Sequence, residues 1–316
     1  IGADDVLKNS TREQLQAFYQ NYYRPNNTVI VVVGDVSARN VIGQIQQLYG
    51  NFQSAEVKRT PGPEEPPQDK LRYNNERGDI SQTVVTIGYH APALKNSPDG
   101  LKEQATMDVL SAVLGRGRGA RLNQVLREKS GIVTNVTTSY LPMPGAGMLS
   151  VQLRIDPANI DKAEGEYFRE IEKFRRELLS EGELQRAKSM LEKRFFDSID
   201  AVNDEAEELA HYQAHFGDFT LLDSYVTRIR AVTAKDVQQA AAKCLTITNA
   251  TVHEYEPRNA PARTFTPEKY AETVAIFAPN ATQPINASDV KPATALKSFK
   301  QGAERNASSQ AEGVIV

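Results

Sequence analysis

His211 and His215 stand four residues apart, with Glu207 one helical turn before them. On a helix the three side chains would share a face, and two imidazoles with a carboxylate form a ligand set that could hold zinc. The same spacing suits two histidines on an ordinary structural or solvent-facing helix. A second candidate is the loop Gly115-Arg116-Gly117-Arg118-Gly119. Backbone amides of such a loop cradle phosphate when it follows a strand and opens a helix. Here a helical pattern precedes it, so phosphate binding is set aside and a flexible connector or a wall loop is expected. Asp204, Glu205, Glu207 and Glu208 fall on a predicted helix, as do Arg169, Lys173, Arg175 and Arg176, and both groups read as solvated faces. Cys244 is the only cysteine, which excludes an intrachain disulfide and a Cys-rich metal site. At the end of an Ala-rich helix it is expected to be a buried structural thiol.

The elements that must position these groups follow from periodicity and punctuation. Leu15, Phe18, Tyr19 and Tyr22 recur at helical spacing behind a capping box read at Ser10–Glu13, and Pro25 stops that helix. Thr28 to Val33 is a β-branched run expected to form a buried strand, and Ser37 is set to cap a helix carrying Val41, Ile42, Ile45 and Leu48. Residues 53–76, with Pro61, Pro63, Pro66 and Pro67 among polar residues, read as a partly extended linker. Beyond it come a strand from Ser81 to His90, a helix from Ser97-Pro98 to about Leu114, and a helix from Ala120 to Lys129. Strands at Ile132–Leu141 and Met148–Ile155 follow; in the second, Leu149, Val151, Leu153 and Ile155 alternate with polar residues, as in a half-buried antiparallel strand. Helices are expected over 158–180, 181–217, 219–231 and 233–245, then a strand near 249–255. Residues 257–316 lose periodicity, apart from a helical patch near 267–278, and read as a tail or linker. Sequons at Asn280, Asn286 and Asn306 matter only in a source that glycosylates secreted proteins.

The 316 residues suit two domains of ordinary size, or one domain with appendages. A formal net charge of -3 supplies no basic excess for nucleic acid or an anionic membrane surface. No run approaches the roughly 18–20 apolar residues of a membrane span. No basic segment with an apolar core follows Ile1. The compartment stays unassigned, a periplasmic or secreted location being compatible with it.

Two helix–strand units can be overlaid. Thr11-Arg12-Glu13-Gln14-Leu15, with Asn26-Asn27-Thr28-Val29-Ile30 beyond it, matches Thr233-Ala234-Lys235-Asp236-Val237, with Thr248-Asn249-Ala250-Thr251-Val252 beyond it, at an offset of 222 residues. The second copy is preceded by far more chain than the first. The overlay therefore implies a first domain lacking most of its N-terminal half, and a fragment or processed piece of something longer.

At this point the residues resemble the pitrilysin/insulinase-type (inverzincin) zinc metallopeptidases. Tyr22-Tyr23-Arg24-Pro25-Asn26-Asn27, then Val29–Val33 and Gly34-Asp35, look like the end of that family's first domain. Gly119-Ala120-Arg121-Leu122, Leu126-Arg127-Glu128-Lys129 and Gly131 look like its second-domain segment, and Phe216-Gly217-Asp218 with Val232–Val237 fit its C-terminal helices. The resemblance implies an α+β fold, each domain packing helices on one face of a mainly antiparallel sheet. It implies residues 1–52 as the C-terminal half of a first domain, 53–76 as linker, 77–257 as a second, non-zinc domain and 258–316 as tail or linker. The family's H-x-x-E-H motif is absent from the sequence. Catalytic residues and zinc are therefore expected outside this chain, in a missing half or a partner subunit. In the His211/His215 pair, Ala214 stands where the motif carries its general base, so these residues are not taken as a zinc site. The family's R-x6-Y pair, which positions peptide, is half present as Arg127 and Thr134. With Gly115, Gly117 and Gly119 as a chamber-wall loop, these are the implied substrate-positioning residues. The implied function is the non-catalytic portion of a zinc metalloendopeptidase, enclosing an extended peptide. The alternative is a catalytically inactive structural or assembly subunit, which Thr134 favours.

Overall fold

The structure is a computed structural model that describes residues 3–59, 66–261, 266–283 and 285–293. Pro61, Pro63 and the sequon at Asn306 lie outside the described residues. The chain opens with α1 (Asp4–Asn9), α2 (Arg12–Tyr22) and α3 (Ala38–Tyr49). The cap of α2 lies one residue beyond the expected place: Thr11 accepts from the Gln14 amide while the Gln14 side chain returns to the Thr11 amide. Ser10 instead donates its hydroxyl to Val6 O, because a short helix ahead of it offers an unpaired carbonyl.

Five strands form one sheet in the order β1-β5-β2-β4-β3. They are β1 (Arg72–Gly78), β2 (Thr83–Ala91), β3 (Val133–Pro142), β4 (Gly147–Ile155) and β5 (Ala250–Pro257). Every pairing is antiparallel except β1 with β5, and β3 forms one edge. Strand β1 corrects the linker reading of residues 53–76. Its sequence, Arg-Tyr-Asn-Asn-Glu-Arg-Gly, has no apolar alternation, and β5 recruits it by backbone pairing.

Alternation does set the other strands. Val85, Ile87 and Tyr89 of β2, Leu149, Val151 and Leu153 of β4, and Val252 of β5 are all buried on one face. Helices α4 (Pro98–Gly115), α5 (Ile160–Arg176), α6 (Glu181–Asp197), α8 (Tyr225–Ala231) and α9 (Ala234–Cys244) contribute buried residues to the same core. The helical stretch expected over 181–217 comprises two helices, α6 and α7 (Val202–Phe216), with a break at 198–201. Residues 266–283 are not a tail: α10 (Pro267–Phe277) and the turn after it put Tyr270, Val274, Ala278 and Ala281 into the core, Tyr270 stacking on Tyr73 at 4.9 Å. Arg175 is not on a solvated face either. It is 2% exposed, pairs with Glu172 and donates to Ala281 O.

The repeat persists in local structure. Helices α2 and α9 each have eleven residues behind a threonine capping box. Each is followed by a short 3₁₀ turn, Pro25–Asn27 and Ile247–Asn249. Asn27 donates to Tyr22 O at 2.8 Å, and Asn249 donates to Cys244 O at 2.7 Å, the same bond 222 residues on. The copies part at the strand. Residues 250–257 pair with two neighbours as β5, whereas 28–33 run extended with no ladder. The expected buried strand at Thr28–Val33 therefore does not form, because no strand among the described residues lies beside it. No residue of α1, α2 or α3 is buried, and Leu15, Phe18, Ile30, Val32 and Leu48 are exposed.

Candidate functional site

The second half of α4 is buried nearly all round, so this helix is a fixed post in the core. It delivers the chain to Gly115 against β3. A Cβ on Gly115 would sit 2.4 Å from Thr138 Cγ2, so glycine alone permits the approach, and Thr138 donates its hydroxyl to Ser111 O at 2.7 Å. Gly117 has φ +80°, which a side chain disfavours. Gly119 meets only the flexible Arg186 side chain at 3.4 Å. Buried Asn123 then donates to Gly115 O and Gly117 O, both at 3.1 Å, with a longer contact of 3.4 Å to Val136 O. Gln124 donates to Arg118 O at 2.7 Å. The loop is thus fastened to β3, which speaks against the flexible-connector alternative.

Residues 123–129, expected as α-helix, form a wider π-helix. Just before it, Arg121 donates to both carboxylate oxygens of Glu183, at 3.0 and 3.2 Å, and lies over the Phe174 ring at 5.2 Å. Both members of the pair are 4% exposed. Glu183 also accepts from Ser180 in the capping box of α6. The loop end is therefore locked to α6.

Two grooves flank the loop. One, of about 270 Å³, is lined by Gly119, Arg121, Glu183 and Arg186. The other, of about 360 Å³, lies between the loop, residues 135–138 of β3 and the end of α6, and Arg116, Arg118, Arg127 and Arg194 line it. Gly115 and Gly117 belong to this second groove, and so does Arg127, which is exposed on the π-helix. Thr134 does not line it. Its hydroxyl donates to Arg154 O at 3.2 Å and approaches Gln82 Oε1 at 3.4 Å. Tyr140 cannot supply a phenol in its place, since its hydroxyl donates to Pro92 O at 2.6 Å.

Behind the groove, Asp108 accepts from the Tyr225 hydroxyl at 3.3 Å. Burial pushes its carboxyl up to about 6, against the pull of Arg116, the Tyr225 bond, Arg194 and Arg228. Desolvation, then Arg194, hold the Arg116 guanidinium below its ordinary range, and Arg116 Nε is buried without a hydrogen-bond partner. Asp108, Arg116, Asn123 and Arg194 were not singled out as site residues from the sequence. Of these, Asn123 left a signal, a polar residue between Leu122 and Leu126 on an apolar face.

His211 and His215 lie on α7, rings 4.5 Å apart, at the surface. Partial desolvation, then the charge of His215, hold His211 below the usual imidazole range, and Glu207 opposes this. No group of three or more His, Cys, Asp or Glu side chains that could hold a metal occurs among the described residues. The residues present do not fit a zinc centre. Cys244 is buried, and desolvation pushes its thiol up to about 11.

Residues 9–191 match the family described as the peptidase M16 inactive domain. The chain is 26% identical over 264 residues to the zinc protease PqqE of Helicobacter pylori, covering 81% of this chain and 57% of that protein. The chain thus spans less than two thirds of that relative. In fold it is similar to a protease from Helicobacter pylori, with a TM-score of 0.70 and 23% identity over 81% of this chain and 61% of that one. It is also similar to the periplasmic protease PqqL from Escherichia coli, with a TM-score of 0.70 and 17% identity over 99% of this chain and 35% of that one.

Proposed function

The chain belongs to the peptidase M16 family through that family's inactive domain, and from this premise we propose that it is the non-catalytic portion of a zinc metalloendopeptidase that encloses and positions an extended peptide. The zinc and its H-x-x-E-H helix would come from another segment or a partner subunit, since this sequence holds no such motif. The carrying observation is the repeat. The run Thr28–Val33 and the apolar side of α2 repeat the layout of β5 and α9, but among the described residues none of their side chains is buried, and Leu15, Phe18, Val29, Ile30 and Val32 are exposed. A half-domain completed by the zinc-bearing half would bury them. Arg127 and the fastened glycine loop, beside the edge strand β3, would hold the peptide, in line with strand addition at a sheet edge.

The test is peptide hydrolysis and zinc content, measured for the chain alone and with an H-x-x-E-H-bearing half. Alone, the chain should hold no stoichiometric zinc and cleave nothing; together, zinc and cleavage should appear. One zinc per isolated chain would overturn the reading. A specific observation favours the second reading, a catalytically inactive assembly subunit: the Thr134 hydroxyl is engaged by the sheet, and among the described residues no tyrosine lines the groove with Arg127. Stable association without any hydrolysis would select it.

A further inference from the structure

The second groove is more sharply charged than the chain as a whole. The chain's formal charge is -3, yet the groove is lined by four arginines and by no aspartate or glutamate. Arg118 is paired with Glu128 at 3.4 Å, and Glu128 is not in the groove lining. The exposed Arg127 and Arg194 make no side-chain ion pair or hydrogen bond among the described residues. Arg116 sits half-buried at the back, its Nε covered and without a hydrogen-bond acceptor. Asp108 interacts with Arg116, Arg194 and Arg228, and Glu208 with Arg194, but neither carboxyl lines the groove. Guanidiniums gathered this densely, with no carboxylate in the groove lining itself, are complementary to planar anions, above all carboxylates, which accept two parallel hydrogen bonds. Residues 135–138 of the edge strand β3 line one side of the groove.

We propose that this groove selects acidic peptide segments: an extended peptide laid along β3 would place Glu or Asp side chains, or a C-terminal carboxylate, against Arg116, Arg127 and Arg194. This rests on the peptide-positioning reading above and adds a substrate preference to it. Phosphate would be met by the same donors, but the strand edge beside the arginines matches a peptide backbone.

The experiment is fluorescence anisotropy on the full chain with dye-labelled peptides as long as β3, ten residues. One alternates Glu and Ala, one carries Gln for Glu, and one carries Lys for Glu. The Glu peptide should bind about ten-fold tighter than the Gln peptide at low salt, with the Lys peptide weakest, and the margin should shrink as salt is raised. Arg127→Gln/Arg194→Gln should erase that margin with the melting temperature unchanged, the loss for the Glu peptide exceeding by about ten-fold any loss for the Gln peptide, which Arg127 also holds. Inorganic phosphate should compete only weakly. If Glu and Gln peptides bind equally, or the margin survives in the double variant, charge selection is wrong while peptide positioning stands. If no peptide binds, both are wrong. Competition by phosphate stronger than by the Glu peptide would make the groove a phosphate site and overturn the proposal.

Discussion

Ile30 and Val252 hold equivalent places 222 residues apart, yet Ile30 is 52% exposed and Val252 fully covered. The helices, caps and corner asparagines ahead of them agree, so local sequence builds the same unit twice. Burial differs because only the second copy has strands beside it. Truncating the two side chains should therefore have unequal effects. Val252→Ala should destabilise the chain by about 2 kcal/mol, as a buried apolar truncation does. Ile30→Ala should change it by less than about 0.5 kcal/mol. Urea unfolding of both variants measures this. Equal losses would mean that Ile30 is buried in solution. With the zinc-bearing half bound, the Ile30 variant should lose affinity.

The glycine loop makes a graded prediction. Gly115→Ala must displace Thr138 and should cost about 1–3 kcal/mol, as overpacking does. Gly117→Ala keeps its space but holds φ +80°, and should cost about 1–2 kcal/mol. Gly119→Ala should be near neutral. Thermal unfolding of the three variants gives the order, and a Gly119 variant as damaged as the Gly115 one would show that the loop is packed differently.

Arg121 and Glu183 form a buried two-toothed pair. Removing one partner strands the other, so Arg121→Met should cost about 3–5 kcal/mol. Arg121→Met/Glu183→Leu should recover most of that loss. About 1 kcal/mol should remain, because Glu183 also completes the Ser180 capping box. A double-mutant cycle in denaturant reads the coupling, and additive losses would mean that the pair contributes nothing beyond its separate side chains.

The sequence made legible whatever is written in short-range pattern. Alternation located β2 and β4, caps and periodicity located α4 and α9, and the motif order around Arg121 gave the family. The misses share a different cause. Strand β1 has no apolar alternation and exists because β5 pairs with it. The run Thr28–Val33 has strand composition and lacks the neighbour that would make it one. Helix α10 reads as a helical patch in a tail because the segments around it lose periodicity, and only the fold shows that Tyr270 meets Tyr73 of β1 and Phe168 of α5. The groove is harder still to read from sequence. Arg116, Arg127 and Arg194 come from three separate elements, and no spacing rule links them. Thr134 matched a family position by count alone, and its hydroxyl turned out to belong to the sheet.

Asp108 gives the pH prediction. Its carboxyl rises from the ordinary 3.8 to about 6 in the folded chain, mainly because burial disfavours the charged form. Between those values the folded chain holds a proton that the unfolded chain has released. Stability from this group is therefore fully present below about pH 4 and lost as pH rises through 6. At higher pH an ionised carboxylate sits where desolvation resists it, and the surrounding arginines offset only part of that. Asp108→Asn keeps the shape and removes the titration. Melting temperatures of the variant and the natural chain should lie close together at pH 4, and the variant should gain on the natural chain as pH rises to 8. A difference that stays constant across this range would mean that the carboxyl titrates normally in the fold. A variant that loses ground with rising pH would mean that the three arginines hold Asp108 ionised.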